Sequence, residues 1–134
     1  MEQKAARAAV AKAFKARGVK ARKGHYRVPH DQLAWYVDLR ADSPRPDAAL
    51  GFEVGAWVPD LGLGKEPEGG AVDCPLLLDR ALDSAGAADV AAQVDALVDL
   101  LERLDSLAAL GEAWRGGELE GALVDRDLRS RLAG

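Results

Sequence analysis

The chain has 134 residues and a formal net charge of −4, enough for about one ordinary domain that buries roughly two thirds of its unfolded surface without metals or disulfides. Its lone Cys74 excludes an internal disulfide, no apolar run approaches the ~20 residues of a membrane span, and the start does not read as a leader, so the expectation is a cytoplasmic protein with no membrane attachment. Charge is uneven: residues 1–27 hold nine Lys or Arg against Glu2 alone, whereas the remainder holds nine basic against twenty-one acidic residues. The 26 alanines and the lack of Ile, Asn and Thr read as the codon bias of a GC-rich bacterial genome.

Residues 2–17 predict a helix, with Ala6, Val10, Ala13 and Phe14 along one side and Gly18 as a left-handed stop. Lys4, Arg7, Lys12 and Lys15 take the other side, so the helix is basic outward. Residues 19–22 and 25–28 are short extended runs about a Lys23-Gly24 turn, and Pro29 is expected to end their pairing. A clean period of two follows. Over residues 32–40, Leu33, Trp35, Val37 and Leu39 share one side, while Ala34, Tyr36, Asp38 and Arg40 share the other. Over residues 49–58, Leu50, Phe52, Val54, Ala56 and Val58 oppose Gly51, Glu53, Gly55 and Trp57. The turn formers of residues 42–47 predict a hairpin connection, hence antiparallel strands.

Residues 59–70, with four glycines and two prolines, form the longest irregular stretch. Residues 87–104 carry the strongest helical spacing, through Val90, Val94, Leu97, Val98, Leu101 and Leu104. Asp105 or Ser106 caps a following helix that ends at Gly116-Gly117, and a last helical piece offers Leu119, Leu123, Leu128 and Leu132. Together these predict one α+β domain over residues 1–134. It comprises a basic N-terminal helix, a three- or four-stranded antiparallel meander, and two or three C-terminal helices packed on one sheet face. Leu33, Trp35, Val37, Phe52, Val54, Val94, Val98 and Leu101 are its expected core.

The chemistry-bearing residues form no recognised pattern. The pool for a metal, His25, His30, Asp31, Asp73 and Cys74, lacks ligand-pair spacing, so neither a metal nor a cofactor is expected. None of the serines Ser43, Ser84, Ser106 and Ser130 sits in a nucleophile elbow, and no spacing joins Cys74 to His25 or His30. Gly62-Leu63-Gly64-Lys65 has Glu66 where a phosphate loop needs a hydroxyl. Asp38 and Glu53 can meet across the polar sheet face, as acid and base pairs do, but both are ordinary on a solvated strand. No catalytic residue is therefore assigned, and the chain reads as a non-enzyme.

Two surfaces remain as partner sites. One is the polar sheet face, where Tyr36, Asp38, Arg40, Glu53 and Trp57 accompany two glycines, a composition that suits protein contacts unless the N-terminal helix covers it and Trp57 joins a second small core. The other is the run Lys20, Arg22, Lys23, Tyr26 and Arg27, which pairs cations with an aromatic ring as single-strand readers do.

The opening from Gly18 to Arg27, a glycine, an apolar residue, a basic run, a second glycine and then Tyr26-Arg27, resembles that of the uncharacterised bacterial domain-of-unknown-function family 4304. The strand after it and the late helix ending in Leu104-Asp105-Ser106 are also similar. The resemblance implies a compact α+β fold and an immunity-like role, and it transfers no catalytic residues. The favoured reading is a non-enzymatic protein-binding module that neutralises a basic partner, because excess Asp and Glu steer such a partner in. The alternative is a nucleic-acid-binding domain using the basic segment, against which the sequence pI near 5.2 weighs.

Overall fold

In the computed structural model, which describes residues 1–61 and 64–134, the two alternating runs are neighbouring strands at the middle of an antiparallel sheet. Gly62 and Leu63 of the glycine turn lie outside the described residues. The strands are β1 (Lys20–Arg22), β2 (His25–Pro29), β3 (Ala34–Ala41), β4 (Leu50–Trp57), β5 (Leu76–Ala81) and β6 (Leu123–Val124), and they pair in chain order. The α+β expectation holds, but among the described residues the sheet has six strands rather than three or four.

The two unexpected strands have different causes. Leu76, Leu77 and Leu78 do not alternate in polarity because both faces of β5 are covered at this point. β6 is two residues long, and its Leu123 sits at a spacing that mimics a helix with Leu119 and Leu128. Pro29 does not end the pairing; it stands opposite Ala34, past the point where β1 runs alongside β2.

The helices α1 (Gln3–Ala16), α2 (Ala87–Arg103), α3 (Leu107–Arg115) and α4 (Arg126–Ala133) share one core with the first face of the sheet. α1 buries Ala6, Val10, Ala13 and Phe14, the side its spacing predicts. Phe14 stacks on Tyr26 at 4.2 Å and meets Phe52 edge-on at 6.4 Å, tying α1 to β2 and β4. All eight expected core residues are buried.

Polar groups on the β3 approach finish the C-terminal end of α2. The Trp35 indole N–H donates to the Leu104 carbonyl at 2.9 Å, and His30 Nε2 bonds the Leu101 carbonyl at 2.8 Å, satisfying two acceptors that a helix end leaves free. Ser106, not Asp105, caps α3 by accepting from the Ala109 N–H. Arg17 reaches Asp95, Asp99 and Glu102, so the basic start of the chain lies against acidic residues of α2. No helix among the described residues is long and apolar enough to cross a membrane.

Candidate functional site

Register decides what the second face carries. Lys20, Arg22, His25, Arg27, Tyr36, Asp38, Glu53, Gly55 and Trp57 all project there, because β1 to β4 pair with no slip. Tyr26 stands opposite Ala21 and Val37 and so faces the helices instead. The aromatic ring and the cations of the basic run are therefore on opposite sides of the sheet.

The second face is covered, though not by the N-terminal helix. Residues 64–75, the latter part of the connection between β4 and β5, cross it as a strap, and a 3-10 turn at Gly70–Asp73 seats Ala71 against Ala34, Tyr36 and Trp57. Tyr36 is 0% and Trp57 5% exposed, so neither offers the open aromatic surface that alternation alone suggests. Trp57 belongs to a second small core. Gly55 makes the close approach possible: a Cβ there would lie 2.6 Å from the Ala71 carbonyl oxygen. Gly70, at φ +75°, passes so near Asp38 and His25 that a Cβ would fall 2.4 Å from an atom of each.

Polar bonds hold the strap down. The Ala71 N–H donates to Asp38 Oδ2 at 3.0 Å, while Asp38 Oδ1 lies 2.5 Å from His25 Nδ1. His25 Nε2 is 2.9 Å from the Glu68 carbonyl oxygen, so both ring nitrogens face acceptors. Glu66 is the central anion. Its Oε1 accepts from the Tyr36 hydroxyl and from Arg27 Nε, each at 2.6 Å. Arg22 donates to the Tyr36 oxygen and the Pro67 carbonyl, and Lys23 pairs with Glu68.

The titration shifts follow from this network. Burial favours the neutral form of Glu66, but the bonds from Tyr36 and Arg27 and the nearby positive charge outweigh it, and its carboxyl sits below the ordinary value. Burial likewise opposes the Arg27 charge, and Glu66 more than offsets it. Tyr36 is pushed up, first by burial and then by Glu66. Cys74 Sγ donates to the Gly70 carbonyl, and burial, aided by Asp73, Asp38 and Glu66, raises its thiol to about 12. That thiol carries almost no thiolate at neutral pH.

The other singled-out residues are scattered. Asp38 stands opposite Glu53, and Glu53 opposite Asp79, a row of three carboxylates across β3, β4 and β5. His25 and Asp38 line a cleft with Arg7 and Tyr26, whereas Glu53 lines a different one with Arg40, Asp79 and Arg80. Arg40 is exposed and lies 3.7 Å from Glu53. His30 is engaged at the end of α2, where its Nε2 bonds the Leu101 carbonyl. Among the described residues no group of three or more His, Cys, Asp or Glu could hold a metal ion.

Glu66, Glu68 and Gly70 had no assigned role in the alternation pattern. For the two glutamates the signal in the sequence was charge: two carboxylates beside Lys65, in a stretch rich in glycine and proline, against the run of cations at residues 20–27. No protein-family model, curated protein or solved structure matches the chain.

Proposed function

We propose that the chain, as one α+β domain, is a non-enzymatic protein-binding module of the bacterial cytoplasm, immunity-like in that it neutralises a basic partner protein. The observation that carries this reading is the outer face of α2. Asp89, Asp95, Asp99 and Glu102 are exposed there among the exposed alanines Ala88, Ala92 and Ala96, an acidic strip that stays open to solvent although Arg17 pairs with Asp95, Asp99 and Glu102, with Arg103 at its end. Short side chains lose little entropy on contact, and the carboxylates steer a basic surface toward them.

The five residues first singled out for partner contact support the reading less than α2 does, since Tyr36, Asp38, Glu53 and Trp57 are buried or half-buried. The alternative, nucleic-acid binding through Lys20, Arg22, Lys23, Tyr26 and Arg27, is weakened by the internal partners of Arg22, Lys23 and Arg27 and by the stacking of Tyr26 on Phe14.

The test is affinity capture from the source lysate with and without nuclease. A stoichiometric basic protein that survives nuclease, and is lost with an Asp89→Lys, Ala96→Lys variant, supports the module. Those two exposed positions leave the Arg17 ion pairs intact. Recovery of nucleic acid alone overturns it.

A further inference from the structure

We propose that the β1–β2 hairpin holds a binding site for a small multivalent anion, a di- or tricarboxylate or a phosphoryl compound, between Lys20, Arg22 and Arg27. The site is independent of the acidic strip on α2. Lys20 stands directly opposite Arg27 on the second face, with Arg22 two residues along the same strand. Like charges set opposite each other destabilise a sheet, so this arrangement calls for an anion.

The strap meets only part of that need. Glu66 answers Arg27, and Glu68 answers Lys23 in the turn. The hydrogen bonds of Arg22 go to neutral oxygens, the Tyr36 hydroxyl at 3.2 Å and the Pro67 carbonyl at 3.0 Å, while the carboxylates of Glu66 and Glu68 act on its charge without a direct bond. Lys20 is exposed and makes no ion pair among the described residues.

Beside these cations opens a cleft of about 390 Å³, lined by Gly18, Lys20, Ala21, Arg22, Arg27 and Pro29. That volume suits a small molecule. Its other lining side chains carry no polar group, so the charged ones alone select the occupant. A planar guanidinium donates to two oxygens of a carboxylate or phosphoryl group, and the lysine adds a third contact. Glu66 is the built-in competitor, for its carboxylate already takes Arg27 and repels an entering anion.

The probes are citrate and pyrophosphate, titrated separately into the whole chain at low ionic strength and followed by calorimetry and amide chemical shifts. Expected is saturable one-to-one binding of at least one probe, about tenfold weaker in Lys20→Ala and severalfold tighter in Glu66→Gln. Lys20 lies exposed on an edge strand, so its truncation leaves the fold in place, and circular dichroism checks this. A loosened fold does not tighten binding, so the Glu66→Gln arm reads competition rather than stability. Three results overturn the proposal. One is no saturable binding by wild type and Glu66→Gln at millimolar probe, and another is equal affinity in wild type and Lys20→Ala. The third is an oligonucleotide that binds more tightly than either probe and depends on Lys20, which would make the hairpin a nucleic-acid site.

Discussion

The two faces of the sheet are closed by different physics. On the first, the helices bury apolar side chains whose period is written in each element, so the contact is non-directional and tolerates small shifts. On the second, one irregular segment is pinned by a few directed bonds and by glycines that let backbone touch backbone. The first cover contributes most of the stability. The second contributes a specific local structure with a small apolar cluster beneath it.

The largest expected effect is on the helix-covered face. Trp35→Ala or Leu101→Ala should lose about 2 to 5 kcal/mol in chemical denaturation, through the cavity left and, for Trp35, the orphaned Leu104 carbonyl. If either loses less than the strap variants, the ranking of the two faces is wrong.

Next come the strap glycines. Gly55→Ala pushes a methyl group into the Ala71 backbone, and Gly70→Ala adds a strained φ to a clash with Asp38 and His25. Each should cost about 1 to 3 kcal/mol. Hydrogen exchange at the Ala71 N–H should accelerate far more than at β3 amides; uniform acceleration would mean that the two covers unfold as one unit.

Glu66→Gln should be milder, about 1 kcal/mol or less, because the carboxylate is a quarter exposed and the pair is partly screened. Its pH signature is sharper. The folded Glu66 carboxyl titrates below its unfolded value, so its contribution is complete above the ordinary carboxylate range and disappears as the pH falls through the depressed folded value. Protection of the Ala71 N–H should therefore fall on acidification below about pH 4 in wild type, and the Glu66 share of that fall should be missing in Glu66→Gln. The smallest effect is chemical. With its thiol near 12, Cys74 should react with iodoacetamide at pH 8 about a thousandfold more slowly than a free cysteine, and strap-loosening variants should restore the rate.

The first face was largely legible in the sequence because periodicity is local: Ala6, Val10, Ala13 and Phe14, or Val90, Val94 and Val98, announce their side within one element. The second was not. Nothing near Tyr36 signals that Glu66, 30 residues later, will accept a hydrogen bond from its hydroxyl, and alternation around Trp57 reads the same whether the far side meets water or a strap. β5 was hidden for the same reason, since a strand covered on both sides loses its alternation. The charge complementarity between residues 20–27 and residues 66–68 was present in the sequence, but it acquires a location only once the register of β1 to β4 is known.

The strictly sequential strand order also bears on how fast the molecule assembles. From β1 to β5 each strand pairs with the next in the chain, so the centre of the sheet can grow hairpin by hairpin with short loop closures. α1 is the exception, since Arg17 must cross 82 residues to reach Asp99. On this topology the docking of α1 on α2 is a late event. Truncations on the buried side of α1, such as Val10→Ala, should speed unfolding while leaving the refolding rate nearly unchanged, and a strongly slowed refolding arm would place α1 in the nucleus instead.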